Sequence, residues 1–141
     1  MHVSQFKFSQ KSDNDFHKVL RQRVNDYFKQ QDLSKYGGIS MLFKAVFMLG
    51  LYFIPFIVFL VTDLHILIQL LLWIIMGVGM AGIGLSVMHD ANHGAFSKIP
   101  LVNKLAGLTA NVIGGHAKLW KLQHNVLHHT FTNVIDADDD I

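Results

Sequence analysis

Between Met41 and Met88 the chain carries two long apolar runs separated by one short polar turn, and nothing else in it constrains the fold as strongly. Met41 to Thr62 contains a single charge, Lys44, and Leu64 to Met88 contains none. At 1.5 Å per residue these runs of about 22 and 25 residues reach roughly 33 and 38 Å, enough to cross a bilayer core of about 30 Å. "TDLH" between them is too short for anything but a tight connection, so the two form a transmembrane helical hairpin. Lys44 lies near one end, where its ammonium can snorkel to the headgroups. Pro55 is expected to kink the first span, which membrane helices tolerate when neighbours satisfy the freed carbonyl.

The fold class that follows is all-α and integral to the membrane, in three parts. Residues 1–40 form an N-terminal segment with an amphipathic helix, residues 41–88 the hairpin (41–62 and 64–88), and residues 89–141 a region of interfacial helices. In the first part Phe16, Leu20, Val24, Tyr27 and Phe28 recur at three- and four-residue spacing from Ser12 to about Gln31, the signature of a surface helix. Ser12 is a plausible N-cap, Asp13 and Asp15 suit the positive end of the helix dipole, and "KYGG" at 35–38 breaks the pattern. Leu101 to Ile113 is too short and interrupted to span, so it reads as an interfacial or buried helix; a further helix is expected from about Ala117 through His129.

Eight of the twelve Lys and Arg residues fall between Lys7 and Lys44, four fall between Lys98 and Lys121, and the turn has none. The positive-inside rule therefore puts the N-terminus and everything after His89 in the cytoplasm, in a multi-pass arrangement. The first residues lack an apolar stretch of the kind a cleaved signal peptide has. A net charge of +2 without a basic, aromatic-interleaved face gives no reason to expect a nucleic-acid partner. The absence of Cys excludes disulfides, iron–sulfur clusters and Cys-based zinc sites.

"GVGMAG", Gly77 to Gly82, matches the dinucleotide-binding pattern letter for letter. That pattern needs a loop between a strand and a helix, whereas here it lies inside a span with its amides committed to helical hydrogen bonds. Gly77, Gly79, Gly82, Gly84 and Ser86 read instead as a small-residue face for close helix packing.

Directly after the second span comes "HDANH", and thirty residues further on "HNVLHHTFTN". His89 and His93, and likewise His124 and His128, are at i and i+4, so on a helix each pair shares a face about 5–6 Å apart. His129 is offset by about 100° and could serve a second metal beside the first. Five imidazoles in two matched clusters need a shared cation to satisfy them. A zincin requires H-E-x-x-H with Glu as base, but the second positions are Asp90 and Asn125. The ferritin-like Glu-x-x-His pattern is also absent. A histidine-rich site for more than one metal remains, and imidazole suits iron, copper, nickel or zinc alike.

"HDANH" followed by "HNVLHH" and "TFTN" resembles the first two histidine boxes of the membrane fatty acid desaturases, in particular the front-end, acyl-lipid or linoleoyl-CoA branch. The resemblance covers both spans and both boxes. It implies that His89, His93, His124, His128 and His129 are ligands of a non-haem centre of two iron ions. Such a centre uses O₂ to remove two hydrogens from an unactivated acyl chain carried on CoA or a lipid. It also implies four membrane helices and a third box downstream, so the chain is expected to be the N-terminal two fifths of a protein of about 350 residues. By itself it is then expected to be inactive and to bind iron weakly. No His-Pro-Gly-Gly haem motif occurs, so electrons are expected from a separate ferredoxin or cytochrome b5, or from a domain beyond residue 141. Two alternatives stay open: another histidine-box membrane enzyme that hydroxylates alkanes or carotenoids, and a membrane hairpin that binds metal without turnover.

Around the boxes, Asp90 and Asn92 are placed to orient an imidazole through its second nitrogen. Trp120, one turn before His124, can wall the site, and His116 lies near the same face. His2, His17 and His65 read as surface or loop residues. Asp136, Asp138, Asp139 and Asp140 lack EF-hand spacing, so they read as a solvated acidic loop.

Overall fold

The computed structural model describes residues 14–138, and every regular element among them is helical. The first, α1 (Asn14–Gln30), is the amphipathic helix; the proposed cap Ser12 and Asp13 lie outside the described residues. It ends at Gln30, where the apolar spacing puts its end. Asp32 takes a left-handed backbone with φ 51°, and the amides of Asp32 and Leu33 donate to the carbonyls of Lys29 and Phe28. This two-bond stop is the one usually built on glycine, and Asp is among the few other residues that tolerate it. Gly37 has a different job: its N–H donates to the Ala95 carbonyl at 2.9 Å, and a side chain there would run into the Phe96 carbonyl. The linker is thereby pinned to the loop that follows the first histidine box.

Next come α2 (Ile39–Val61) and α3 (Ile66–Gly82), joined by a four-residue turn. Pro55 sits within α2, buried, and the helix continues through it. At the turn, Thr62 returns its N–H and hydroxyl to the Val58 carbonyl, and the His65 imidazole caps α3 by accepting the Leu67 amide. Only 11% and 17% of the residues in the most apolar windows of the two long helices are buried. Both are long and apolar enough to cross a membrane, and their apolar surface is mostly exposed.

The small-residue face works at two of its five positions. A Cβ on Gly79 would lie 2.7 Å from the Tyr52 nitrogen and 2.9 Å from the Leu51 carbonyl carbon, and one on Gly82 would collide with Met48. Gly79 lets α3 approach the α2 backbone closely, and Gly82 makes room for the Met48 side chain. Gly77 faces open space, Gly84 faces Ile113, and Ser86 returns its hydroxyl to the Gly82 carbonyl.

The helix that carries the second apolar run continues past Met88. Beyond Gly82 the backbone widens into a π-helical segment, π1 (Ile83–Met88), and then tightens again into α4 (His89–Asn92). Ile66 to Asn92 is thus one helical rod of 27 residues, about 40 Å long. The first histidine box is its last turn. Gly94, at φ 75°, stops the rod there: its amide and that of Ala95 donate to the carbonyls of Ala91 and Asp90.

The remaining elements are short: α5 (Pro100–Gly107), α6 (Thr109–Val112), α7 (Ala117–Trp120), a second π-helical segment π2 (Lys121–His128), and α8 (His129–Phe131). Predicted helices at 101–113 and 117–129 are therefore present, the first broken at Leu108 and the second wound wide. Asparagines clamp the connections. Asn103 bonds the Ser97 amide and the carbonyls of Gly94 and Ser97, while Asn111 accepts the Ala117 amide. Two apolar clusters lie beneath the boxes: Ala45, Val87, Ala91 and Phe96 in one, Met88, Ala110 and Ala117 with Trp120 in the other. Ile83 and Val87, both in π1, are the largest side chains buried completely. Packing is thus tightest at the end of the hairpin that carries the histidines.

Candidate metal centre

His89 and His93 occupy successive turns at the tip of the rod, with ring centroids 4.6 Å apart. His124 approaches both from π2, at 5.2 Å from each. The nitrogens these three offer lie within 4.8 Å of one another, a spacing that one cation can bridge with small rotamer changes. His129 closes on the same group, 5.1 Å from His93 and 5.0 Å from His124.

The wide winding of π2 explains how. In an α-helix His129 would point about 100° away from His128 and away from His124. A π turn takes in one residue more, bonding i to i+5, so residues 124 and 129 fall on neighbouring positions of one face. His128 stays stacked on His124, centroids 5.1 Å apart and planes at 16°. This stretch therefore presents three imidazoles, and His129 reaches His93 and His124 as well as His128.

The predicted supporting residues divide. Asp90 has its Oδ1 3.0 Å from His89 Nδ1, where it can accept the Nδ1 proton and leave Nε2 free. Trp120 stacks on His124 at 4.4 Å and 23°, and touches His89 and His93 edge-on, so it walls the cluster on one side. Asn92 is buried but turned away: its amide bonds the Gly107 carbonyl at 3.4 Å. It contributes through its backbone, whose carbonyl accepts the Asn125 amide at 3.0 Å. This bond ties the two boxes together across 33 residues, and the Asn125 Oδ1 is buried with no protein partner among the described residues. His116 is exposed, and its Nδ1 caps α7 by accepting the Leu119 amide. That bond takes it away from the cluster.

The acidic stretch departs furthest from expectation. Asp136 is exposed as predicted, but Asp138 is buried at 3% exposure, and both its oxygens lie 3.0 Å from His128 Nδ1. The chain folds back after α8 to bring it there, with Asn133 and Asp136 in left-handed backbone conformations. Asp139 and Asp140 lie outside the described residues. Spacing could not reveal Asp138, because nothing in the sequence marks a ten-residue return.

Burial and the neighbouring imidazoles of His89, His124 and His129 push the His93 pKa below the usual 6.5, with Asp90 acting in the opposite direction. At neutral pH the ring is held neutral, the form a metal ion needs. A set of neutral nitrogen donors, with carboxylates on the far nitrogen of His89 and His128, fits a transition-metal cation. The pH dependence has a definite sign. A depressed imidazole pKa contributes to stability above about 6.5, and that contribution is lost as pH falls from there through the folded value. Protons compete with metal over the same range. Titrating Co²⁺ into the metal-free protein at pH about 7.5 and about 5.5 should give markedly weaker binding in acid, and the metal-free protein should also unfold more easily there.

Comparison with known proteins points the same way. The sequence model of the family described as "Fatty acid desaturase" matches residues 64–141. The sn-1 linoleoyl-lipid 6-desaturase of Arthrospira platensis is 39% identical over 127 residues, covering 89% of this chain and 34% of that protein. The protein of the same name from Synechocystis sp. is 34% identical over 99% of this chain and 38% of its own length. The acyl-lipid (8-3)-desaturase of Physcomitrium patens is 33% identical over 96% of this chain and 28% of its own. The chain spans about a third of the length of these relatives. No solved structure matches. The matched region takes in the second span and both histidine boxes, and the chain belongs to the fatty acid desaturase family.

Proposed function

We propose that these residues form the first part of an O₂-dependent acyl-lipid desaturase, with the N-terminus and both boxes on the cytoplasmic side of a multi-pass membrane protein. The observation that carries the reading is the meeting of His89, His93 and His124, from segments thirty residues apart, at the end of a lipid-exposed hairpin. In this reading the five box histidines, His89, His93, His124, His128 and His129, hold two iron ions, with further donors coming from sequence beyond Ile141. When bound, the irons supply activation of O₂: with two electrons and two protons, O₂ becomes two waters as a CH₂–CH₂ unit becomes CH=CH. The electrons come from a separate ferredoxin or cytochrome b5.

The chain's own contributions are physical. The widened helix of π2 aligns three imidazoles, the Asn125–Asn92 bond fixes the boxes to each other, and Asp90 holds the His89 ring by Nδ1. Trp120 covers one side and limits access of water. A glycerolipid acyl chain is favoured over acyl-CoA by the names of the relatives.

The test is to express the reading frame that contains these residues in a host fed defined fatty acids, and to profile the acyl chains by mass spectrometry. A new double bond in membrane lipid is the expected product. A hydroxylated chain without a new double bond would instead assign the centre to C–O bond formation. Unaltered acyl chains in a protein that retains iron would leave a metal-binding hairpin without turnover.

A further inference from the structure

We propose that Asp138 is a positioning residue for the second histidine box, fixing the His128 imidazole with its proton on Nδ1 and its Nε2 lone pair free for metal. This rests on the reading of the boxes as a metal centre. Both carboxylate oxygens lie 3.0 Å from His128 Nδ1. An ionised carboxylate only accepts hydrogen bonds, so a proton on Nδ1 suits this contact and leaves Nε2 for metal.

Burial argues for more than a loop anchor. The Asp138 side chain has no exposed surface, whereas His128 keeps 25% of its own. A carboxylate on the far nitrogen of an imidazole is the arrangement by which outer partners orient metal ligands and strengthen them. The chain turns back at Asn133 and Asp136, with φ of 62° and 67°, residue types that tolerate this region better than most, and the Asn133 amide donates to Asp138 Oδ2 at 2.9 Å. Asp90 stands in the same relation to His89 in the first box. One histidine in each box is thus backed by an aspartate, the first adjacent in sequence and the second returned from ten residues away.

The experiment compares Asp138→Asn, Asp138→Ala and His128→Ala in the full-length membrane protein. Asparagine keeps the shape and an oxygen for the Asn133 amide while removing the charge, which separates orientation of the ring from anchoring of the loop. Co²⁺ affinity, the visible spectrum of bound Co²⁺, and the unfolding midpoint of the metal-free protein are measured for each. Asp138→Asn is expected to weaken Co²⁺ binding about 10- to 100-fold and to alter the spectrum while leaving the metal-free midpoint in place; Asp138→Ala should lose both binding and midpoint. Wild-type affinity and spectrum in Asp138→Asn, with binding lost in His128→Ala, would overturn the positioning role alone. A midpoint that falls in step with affinity in Asp138→Asn would also overturn it, leaving a structural anchor. Undiminished binding in His128→Ala would instead overturn the ligand reading on which the proposal stands.

Discussion

His124→Ala is expected to lower desaturated product by more than about 100-fold, beyond what loss of an outer partner costs a metal site, and to leave purified protein with little bound metal. Among the described residues His124 is the one imidazole in ring contact with His89, His93, His128 and His129 together, and with Trp120. Removing it takes away a donor and the surface that holds two others at bridging distance. Alanine leaves a gap in a half-buried cluster rather than in the apolar core, so the fold should survive; circular dichroism in detergent checks this. His116→Ala provides the contrast. That ring is spent on capping α7, so the substitution should leave metal content and product unchanged and cost at most the stability of a weak cap, about 1 kcal/mol. Equal losses in both variants would mean that general destabilisation, and not the cluster, governs activity.

The sequence was most informative where a pattern repeats over many residues. Two apolar runs separated by "TDLH" specify the hairpin because lipid admits few other solutions, and the structure moves their ends by only a few residues. The i, i+4 histidines were legible for the same reason: helical periodicity puts each pair on one face. What depended on a departure from ideal helix geometry was hidden. Neither π1 nor π2 has a compositional mark, yet π2 decides that His129 joins His124 rather than diverging from it. Contacts between distant segments were equally invisible. Asn125 stood out only because it is not glutamate, and its amide turns out to tie the boxes together through the Asn92 backbone. Asp138 looked like one more member of an acidic run, because four aspartates in five residues suggest solvent. Its burial follows from a backbone reversal at Asn133 and Asp136, residues that tolerate a left-handed turn but do not by their spacing announce one. The side chains of Asn92 and His116, near the histidines in sequence, bond the Gly107 carbonyl and the Leu119 amide.

Gly79→Leu should do the greatest damage to the fold, and through the fold to the site. Even a Cβ at this position would meet backbone atoms of Leu51 and Tyr52 below 3.0 Å, and backbone has no rotamer into which to retreat. The helices must part there, forfeiting the contacts around them, for a loss at or above the upper end of the roughly 1–3 kcal/mol typical of overpacked cores. Gly77→Leu, two residues earlier on the same helix, adds the same side chain where a Cβ meets nothing within 4 Å, and should alter stability by no more than about 0.5 kcal/mol. Unfolding in detergent micelles measures both. The consequence for the site follows from the continuity of the rod. Because α3 runs through π1 into α4 without a break, a displacement at Gly79 is carried to His89 and His93, while His124 belongs to a segment beyond two loops. The boxes should then lose register, and metal affinity should fall in Gly79→Leu along with stability, whereas Gly77→Leu keeps both. A Gly79→Leu protein as stable as Gly77→Leu would show that α2 and α3 do not pack at this point. One that is destabilised yet binds metal normally would show that the boxes are aligned by the Asn125–Asn92 bond and the clamped loops alone, independently of the hairpin beneath them.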